Sequence, residues 1–179
     1  MIWWVFALML GVVVLDQITK WLAVVYLKSI DTLPLWQDVL HLTYYENPGA
    51  AFGILTEHRW VFMIISTLAI IALSYYLIRQ RPENFWVKLS LGMIVGGGVG
   101  NMIDRVILGY VIDFIDFCLI DFAIFNIADS FVTVGAGIMI VYLIVDLVRE
   151  SRKEKERLLQ KAEAETAGEE KTDDRSEED

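Results

Sequence analysis

Two aspartates carry the clearest chemical potential in this sequence. Asp113 is flanked by bulky apolar residues, and Asp129 lies three residues after Asn126. Two carboxylates brought together in a poorly solvated place cannot both ionise cheaply, so one keeps a proton and the pair titrates as a unit. In an aspartic protease the ionised partner takes a proton from water and the protonated one polarises the scissile carbonyl. The spacing alone also leaves open a structural hydrogen-bonded network and a proton or ion pathway.

Two further polar pairs have helical spacing. Asp16 and Lys20, like Asn101 and Arg105, are four residues apart, which places each pair on one face of a helix. The first pair is predicted to form an ion pair that stabilises the fold. The second would present an amide and a permanent cation at the end of a glycine-rich helix, where the glycines favour tight helix contact.

The elements that carry these residues are predicted to cross a membrane. The chain has 179 residues, of which 56% are hydrophobic, and its mean hydropathy is +0.50, which is too apolar for a soluble domain of this size. A spanning helix needs about 20 apolar residues. Long apolar runs without alternation exclude a membrane barrel, so the predicted fold is an all-α membrane protein. Its four predicted helices are Ile2 to Tyr26, Trp60 to Ile78, Phe85 to Ile103 and Phe125 to Val148.

The short loops predict the orientation of these helices. Basic residues cluster between the second and third helices and after the fourth, so both clusters should be cytoplasmic, as should both termini. Residues 28–58 then form an extracytoplasmic cap with β-strand character and turns at Leu33-Pro34 and Asn47-Pro48-Gly49, and residues 105–124 form a short outer loop. Residues 1–150 are predicted to be the membrane domain. Residues 151–179 are predicted to be a charged cytoplasmic tail that is disordered, either throughout or after an extension of the fourth helix.

The cysteine and histidine content argues against a metal centre. Cys118 is the only cysteine, and His41 and His58 are the only histidines, with no His-Glu-x-x-His pattern. Cys118 is interpreted as an apolar filler and the histidines as surface or interfacial residues. Much of the net charge of −9 lies in the tail and says little about the site. No metal, cofactor or nucleic-acid partner is predicted.

Four blocks of residues, in this order, resemble the lipoprotein signal peptidases (signal peptidase II) of bacteria. They are Asp16-Gln17-Ile18-Thr19-Lys20; Asn47-Pro48-Gly49-Ala50-Ala51-Phe52-Gly53; Gly97 through Asn101 to Asp104-Arg105; and Val111-Ile112-Asp113-Phe114 paired with Phe125-Asn126-Ile127-Ala128-Asp129. Each block is modest, but together they are specific, and the resemblance covers about Ile2 to Val148.

The resemblance implies a monomeric aspartic endopeptidase of the bacterial cytoplasmic (inner) membrane. It would remove the signal peptide from diacylglyceryl-modified prolipoproteins, just before the lipidated cysteine, at a site near the outer face and among membrane lipids. It implies no cofactor and no counterpart for the acidic tail. The implied roles are catalytic for Asp113 and Asp129, supporting or substrate-binding for Asn47, Gly49, Asn101, Arg105 and Asn126, and structural for Asp16 and Lys20.

Two other classes of function remain open at this point. In a small transporter or proton-conducting protein, Asp113, Asp129 and Arg105 would form a relay rather than a hydrolytic pair. In a non-enzymatic membrane scaffold, the charged tail would carry the function.

Overall fold

Four helices dominate the computed structural model, which describes residues 2–49, 59–120 and 122–176, with side chains for all of these except residues 59, 62 and 159–176. They are α1 (Trp3–Tyr26), α2 (Arg59–Gln80), α3 (Phe85–Ile107) and α4 (Ile127–Ser176). Each contains a segment long and apolar enough to cross a membrane: Trp3–Tyr26, Met63–Gln80, Phe85–Ile107 and Ile127–Leu158. The predicted all-α membrane fold with four spanning helices is confirmed.

Helix α3 is the central helix of the described bundle. It packs against α1 and α2, and 56% of its most apolar stretch is buried, compared with 6% for α2. Large apolar side chains such as Trp3, Leu68 and Ile71 remain exposed, as expected of helix faces that contact lipid rather than water.

A three-stranded antiparallel sheet connects the two predicted outer segments. Its strands are β1 (Thr32–Trp36), β2 (Leu40–Asn47) and β3 (Val111–Asp116), in the order β1-β2-β3. The outer loop predicted for residues 105–124 therefore supplies a strand, and a short 3₁₀ helix (Cys118–Ile120) follows it. The predicted turn at Leu33-Pro34 is wrong, because both residues lie in β1. A proline is tolerated there because β1 is an edge strand.

Apolar packing fixes the sheet to the end of the first helix. Ile112 and Phe114 of β3 form a buried cluster with Ala23 and Leu27 of α1. Side chains alternate between the two faces of a strand, so the intervening Asp113 points away from this cluster. One face of β3 thus anchors the strand, and the other presents a carboxylate.

The chain divides into two compact units, Met1–Met139 and Ile140–Asp179. In the second unit α4 continues as a helix to Ser176, beyond the predicted end of the fourth helix at Val148. The domain boundary at residue 150 and the disorder of the tail stay predictions. Residues 50–58 of the predicted cap, including His58, lie outside the described residues.

Candidate active site

Strand β3 and the start of helix α4 deliver the two aspartates. Asp113 lies in the middle of β3 with 1% of its side chain exposed, and Asp129 lies in the first turn of α4. Asn126 immediately precedes that helix and is completely buried. The site therefore forms where a strand and a helix terminus meet, and both elements belong to the first compact unit.

Two amides hold the carboxylate of Asp113. Asn47 Nδ2 donates to Asp113 Oδ2 at 2.8 Å, and Asn126 Nδ2 donates to Oδ1 at 2.7 Å. The ladder pairs Asn47, the last residue of β2, with Val111 at the start of β3. Antiparallel register thus brings the Asn47 side chain to Asp113 across the sheet.

A reciprocal cap at the start of α4 orients Asp129. The Asp129 amide donates to Asn126 Oδ1 at 3.0 Å, and the Asn126 amide donates to Asp129 Oδ2 at 3.2 Å. This is the capping-box arrangement, with an acid three residues after the capping residue. Asn101 Nδ2 donates to the other oxygen, Asp129 Oδ1, at 2.7 Å. The reciprocal hydrogen bonds between Asn126 and Asp129 therefore cap the start of α4 and also fix the Asp129 carboxylate.

Asn126 contacts both carboxylates. Its side-chain amide donates to Asp113, and its backbone amide donates to Asp129. The same side chain also donates to Asn101 Oδ1 at 3.0 Å. The structure thus brings the two predicted catalytic residues into one hydrogen-bonded site.

Burial sets the protonation of Asp113. The pKa of Asp113 is raised to about 7, mainly because burial removes the carboxyl group from water; the hydrogen bond from Asn47 lowers the pKa, and the charge of Asp129 raises it. Desolvation disfavours a charged carboxylate, and a nearby like charge does the same. Asp113 therefore holds its proton into the neutral range.

A buried ion cluster fixes the side chain of Asn101. Lys20 Nζ lies 2.8 Å from Asp16 Oδ2, 2.8 Å from Asp104 Oδ2, and 2.8 Å from Asn101 Oδ1. Asp104 Oδ2 also accepts from the amide of Ile112 at 3.2 Å. Because Lys20 is a donor only, it fixes the oxygen of Asn101 toward itself and directs Nδ2 toward Asp129.

Glycines permit the close helix approach that this cluster requires. A Cβ atom on Gly100 would lie 2.6 Å from Asp16 Oδ2, and one on Gly97 would collide with the carbonyl oxygen of Ala128. Asp16 in turn accepts from the Ala128 amide at 3.0 Å, which satisfies a free N–H group at the start of α4. The glycine spacing seen in the sequence therefore serves packing of α1 and α4 against α3.

Arg105 and a cavity complete the site. Arg105 Nη2 donates to the carbonyl oxygen of Gly49 at 3.3 Å, and its charge acts on Asp113 and Asp129. The cavity holds about 520 Å³. Its polar wall includes Asn47, Asn101, Arg105, Asp113 and Asp129, and its apolar wall includes Val111, Phe122, Ile124, Phe125, Val132 and Val134.

All nine residues singled out from the sequence lie in this network or at its edge. Asp16 and Lys20 form the predicted ion pair, and Asn47, Gly49, Asn101, Arg105 and Asn126 surround the two aspartates. Sequence reasoning missed Asp104 and Gln17 as partners of Lys20 and Asp16. Asp104 is 3% exposed, and Gln17 Nε2 donates to it at 2.9 Å. A carboxylate inside an apolar helix, one turn after Asn101, was the available signal.

The chain is similar to proteins of one family. The family model described as Signal peptidase (SPase) II matches residues 8–145. A lipoprotein signal peptidase of Caldanaerobacter subterraneus subsp. tengcongensis is 50% identical over 134 residues, which are 75% of this chain and 90% of that protein. One from Brevibacillus brevis is 43% identical over 143 residues, which are 80% of this chain and 96% of the relative.

Solved structures share the fold. A structure described as a bacterial membrane enzyme superposes with a TM-score of 0.74 at 36% identity, covering 80% of this chain and 88% of its own. A second with the same description gives a TM-score of 0.70 at 37% identity, covering 78% and 91%.

Proposed function

The chain belongs to the signal peptidase II family, and on this premise we propose that it cleaves diacylglyceryl-modified prolipoproteins just before the lipidated cysteine, using Asp113 and Asp129 to activate water. It is a multi-pass bacterial membrane peptidase of the kind that removes signal peptides from prolipoproteins. The dyad, the cleavage position and the inner-membrane placement with cytoplasmic termini are the proposed parts.

The observation that carries the proposal is the pair of hydrogen bonds from Asn126 to both carboxylates. The two aspartates have different surroundings. Asp113 keeps its proton into the neutral range because burial raises its pKa to about 7. Asp129 instead accepts hydrogen bonds from Asn101 Nδ2 and from the Asn126 amide, one on each carboxylate oxygen. Two carboxylates in different surroundings suit an acid and a base, and we assign the acid to Asp113 and the base to Asp129.

The chemistry then follows in two steps. The ionised Asp129 takes a proton from water as the water oxygen bonds to the scissile carbonyl carbon, while Asp113 donates its proton to the carbonyl oxygen. In the second step Asp129 gives its proton to the leaving amine nitrogen, the carbon–nitrogen bond breaks, and Asp113 recovers its proton from the hydroxyl of the intermediate.

The remaining residues of the site would position the substrate. Arg105 is held at the cavity wall by its bond to the Gly49 carbonyl oxygen, and Asn47 Oδ1 accepts from the Gly49 amide at 3.0 Å. These contacts join the outer segment to α3 beside the two aspartates. The apolar part of the cavity wall suits an apolar signal peptide that arrives within the bilayer.

Cleavage of a diacylglyceryl-modified prolipoprotein by the purified chain in detergent tests this proposal. Asp113→Asn and Asp129→Asn should each lower turnover by several orders of magnitude with little change in melting temperature, because Asn keeps the shape but neither donates nor accepts the proton. Asp31→Asn is the matched control, since Asp31 is an exposed aspartate of the outer segment with a φ of 61° that asparagine tolerates. Full turnover in either dyad variant would refute the assigned roles, and absence of cleavage by folded wild type would favour a relay for protons or ions.

A further inference from the structure

A second group of potential ligands lies on the outer sheet, apart from the dyad. His41, Asp116 and Cys118 each offer one ligand atom, and these three atoms lie within 4.8 Å of one another. They come from β2, from the last residue of β3, and from the 3₁₀ helix that follows. The sequence gives no hint of this grouping, because His41 is far from the other two along the chain.

Strand register explains why these residues converge. His41 and Asp116 are direct partners in the β2–β3 ladder, and directly opposed side chains lie on the same face of a sheet. Cys118 comes two residues after Asp116, and its Sγ lies 3.8 Å from the Asp116 carbonyl oxygen. Asp113 is three positions before Asp116, so alternation places the two carboxylates on opposite faces. The group is therefore separate from the candidate active site.

The ligand types suit a first-row transition metal. Thiolate, imidazole and carboxylate are the ligands of Zn²⁺ in proteins, and three protein ligands with a water molecule are a common set. The Thr43 hydroxyl donates to Asp116 Oδ2 at 2.9 Å, which is the outer contact that orients a ligating carboxylate. Asp38 adds a further negative charge near Cys118.

His41 supplies an independent observation. Its Nε2 atom is buried and has no hydrogen-bond partner among the described residues. A buried polar atom of this kind is costly unless something binds it. A cation bound through Nε2 would give that atom a partner that the described residues do not provide.

We propose that His41, Asp116 and Cys118 form a binding site for one divalent transition-metal ion, with Zn²⁺ as the expected occupant. The bound ion would join β2 to the segment that leaves β3, and so would brace the strand that carries Asp113.

Cobalt titration of the full chain in detergent, after removal of metals with a chelator, tests the site directly. Wild type should bind one equivalent of Co²⁺ with a thiolate-to-cobalt charge-transfer absorption band, and Zn²⁺ should displace the cobalt. Cys118→Ser should abolish the absorption band. Thr43→Val, which removes only the contact that orients Asp116, should lower cobalt affinity by about 10- to 100-fold. His41→Ala removes a ligand and should lower cobalt affinity further. Failure of wild type to bind one equivalent, or an unchanged band in Cys118→Ser, would overturn the proposal.

Thermal melts provide a readout that does not depend on colour or on peptidase activity. A ligand that binds only the folded chain raises its melting temperature, so Zn²⁺ should raise that of wild type. It should raise that of Glu46→Gln equally. This variant is the control, because Glu46 lies on β2 like His41 but its carboxylate pairs with Lys28 rather than with the proposed site. Zn²⁺ should leave the melt of Cys118→Ser unchanged. Equal stabilisation of wild type and Cys118→Ser would contradict the site, and the metal-free melts show whether each variant folds.

Discussion

Replacing Asn47 with alanine should move the alkaline limb of the pH–rate profile to higher pH. Asn47 Nδ2 donates to Asp113 Oδ2 at 2.8 Å, and this bond lowers the pKa of Asp113. Without the bond, the ionised form of Asp113 loses a stabilising partner, so the proton is held to higher pH. The proposed mechanism uses protonated Asp113, and activity should therefore fall as the pH rises through its pKa.

The size of the shift follows from the strength of that bond. A hydrogen bond to a charged group contributes about 1.5 to 3 kcal/mol, and one pKa unit corresponds to about 1.36 kcal/mol. Water that enters the cavity replaces part of the bond, so a shift of about one unit is expected. With the wild-type pKa at about 7, the rate at pH ~9 should be about 1% of the plateau for wild type and about 10% for the variant.

The assay is kcat/KM for a lipopeptide substrate, measured from acid to alkaline pH, because this quantity reports the pKa values of the free enzyme. The position of the limb is the readout, since loss of Asn47 also removes the contact to the Gly49 amide and lowers the plateau. Glu46→Gln is the control, because Glu46 lies on the same strand and its exposed carboxylate pairs with Lys28 rather than with the site. A limb that stays in place or moves to lower pH in Asn47→Ala would refute the assignment of Asp113 as the proton donor.

Three further predictions concern the surroundings of the site. Lys20→Met should destabilise the fold by about 3 to 5 kcal/mol, because it leaves the buried Asp16 and Asp104 without their cation; an unchanged melting temperature would contradict this. Gly100→Ala should lower the melting temperature as well, since the added Cβ would lie 2.6 Å from Asp16 Oδ2, whereas Gly137→Ala, with open space around its Cβ, should not. Truncation after Arg152 should leave the cleavage rate of the membrane domain unchanged, and loss of function on truncation alone would support the scaffold alternative.

Hydropathy predicted the helices well because lipid imposes a strong and local requirement on sequence. Its errors lie at the ends. The third helix extends to Ile107 rather than Ile103, because Asp104 finds Lys20 and Gln17 inside the fold and need not end the helix. The strand β3 was missed for a different reason: pairing with β2 is a long-range contact that the short apolar segment does not encode by itself.

The sequence indicated which residues form the candidate site, but not the hydrogen bonds between them. Apolar flanking residues, position at a helix start and the family blocks singled out Asp113, Asp129 and their amide neighbours as candidates. The sequence could not give the direction of the Asn101 amide, which depends on Lys20 from another helix. Nor could it bring His41 to Cys118, because only the ladder register places them together.

Asn126 makes the architecture and the chemistry inseparable at one position. The side chain that begins α4 also holds Asp113, so no substitution there can alter one property and spare the other. In a deep mutational scan that measures thermal stability and turnover for every variant, the two quantities vary independently at most positions. At Asn126 we expect stability and turnover to fall together. Few other residues should therefore be tolerated at this position during evolution.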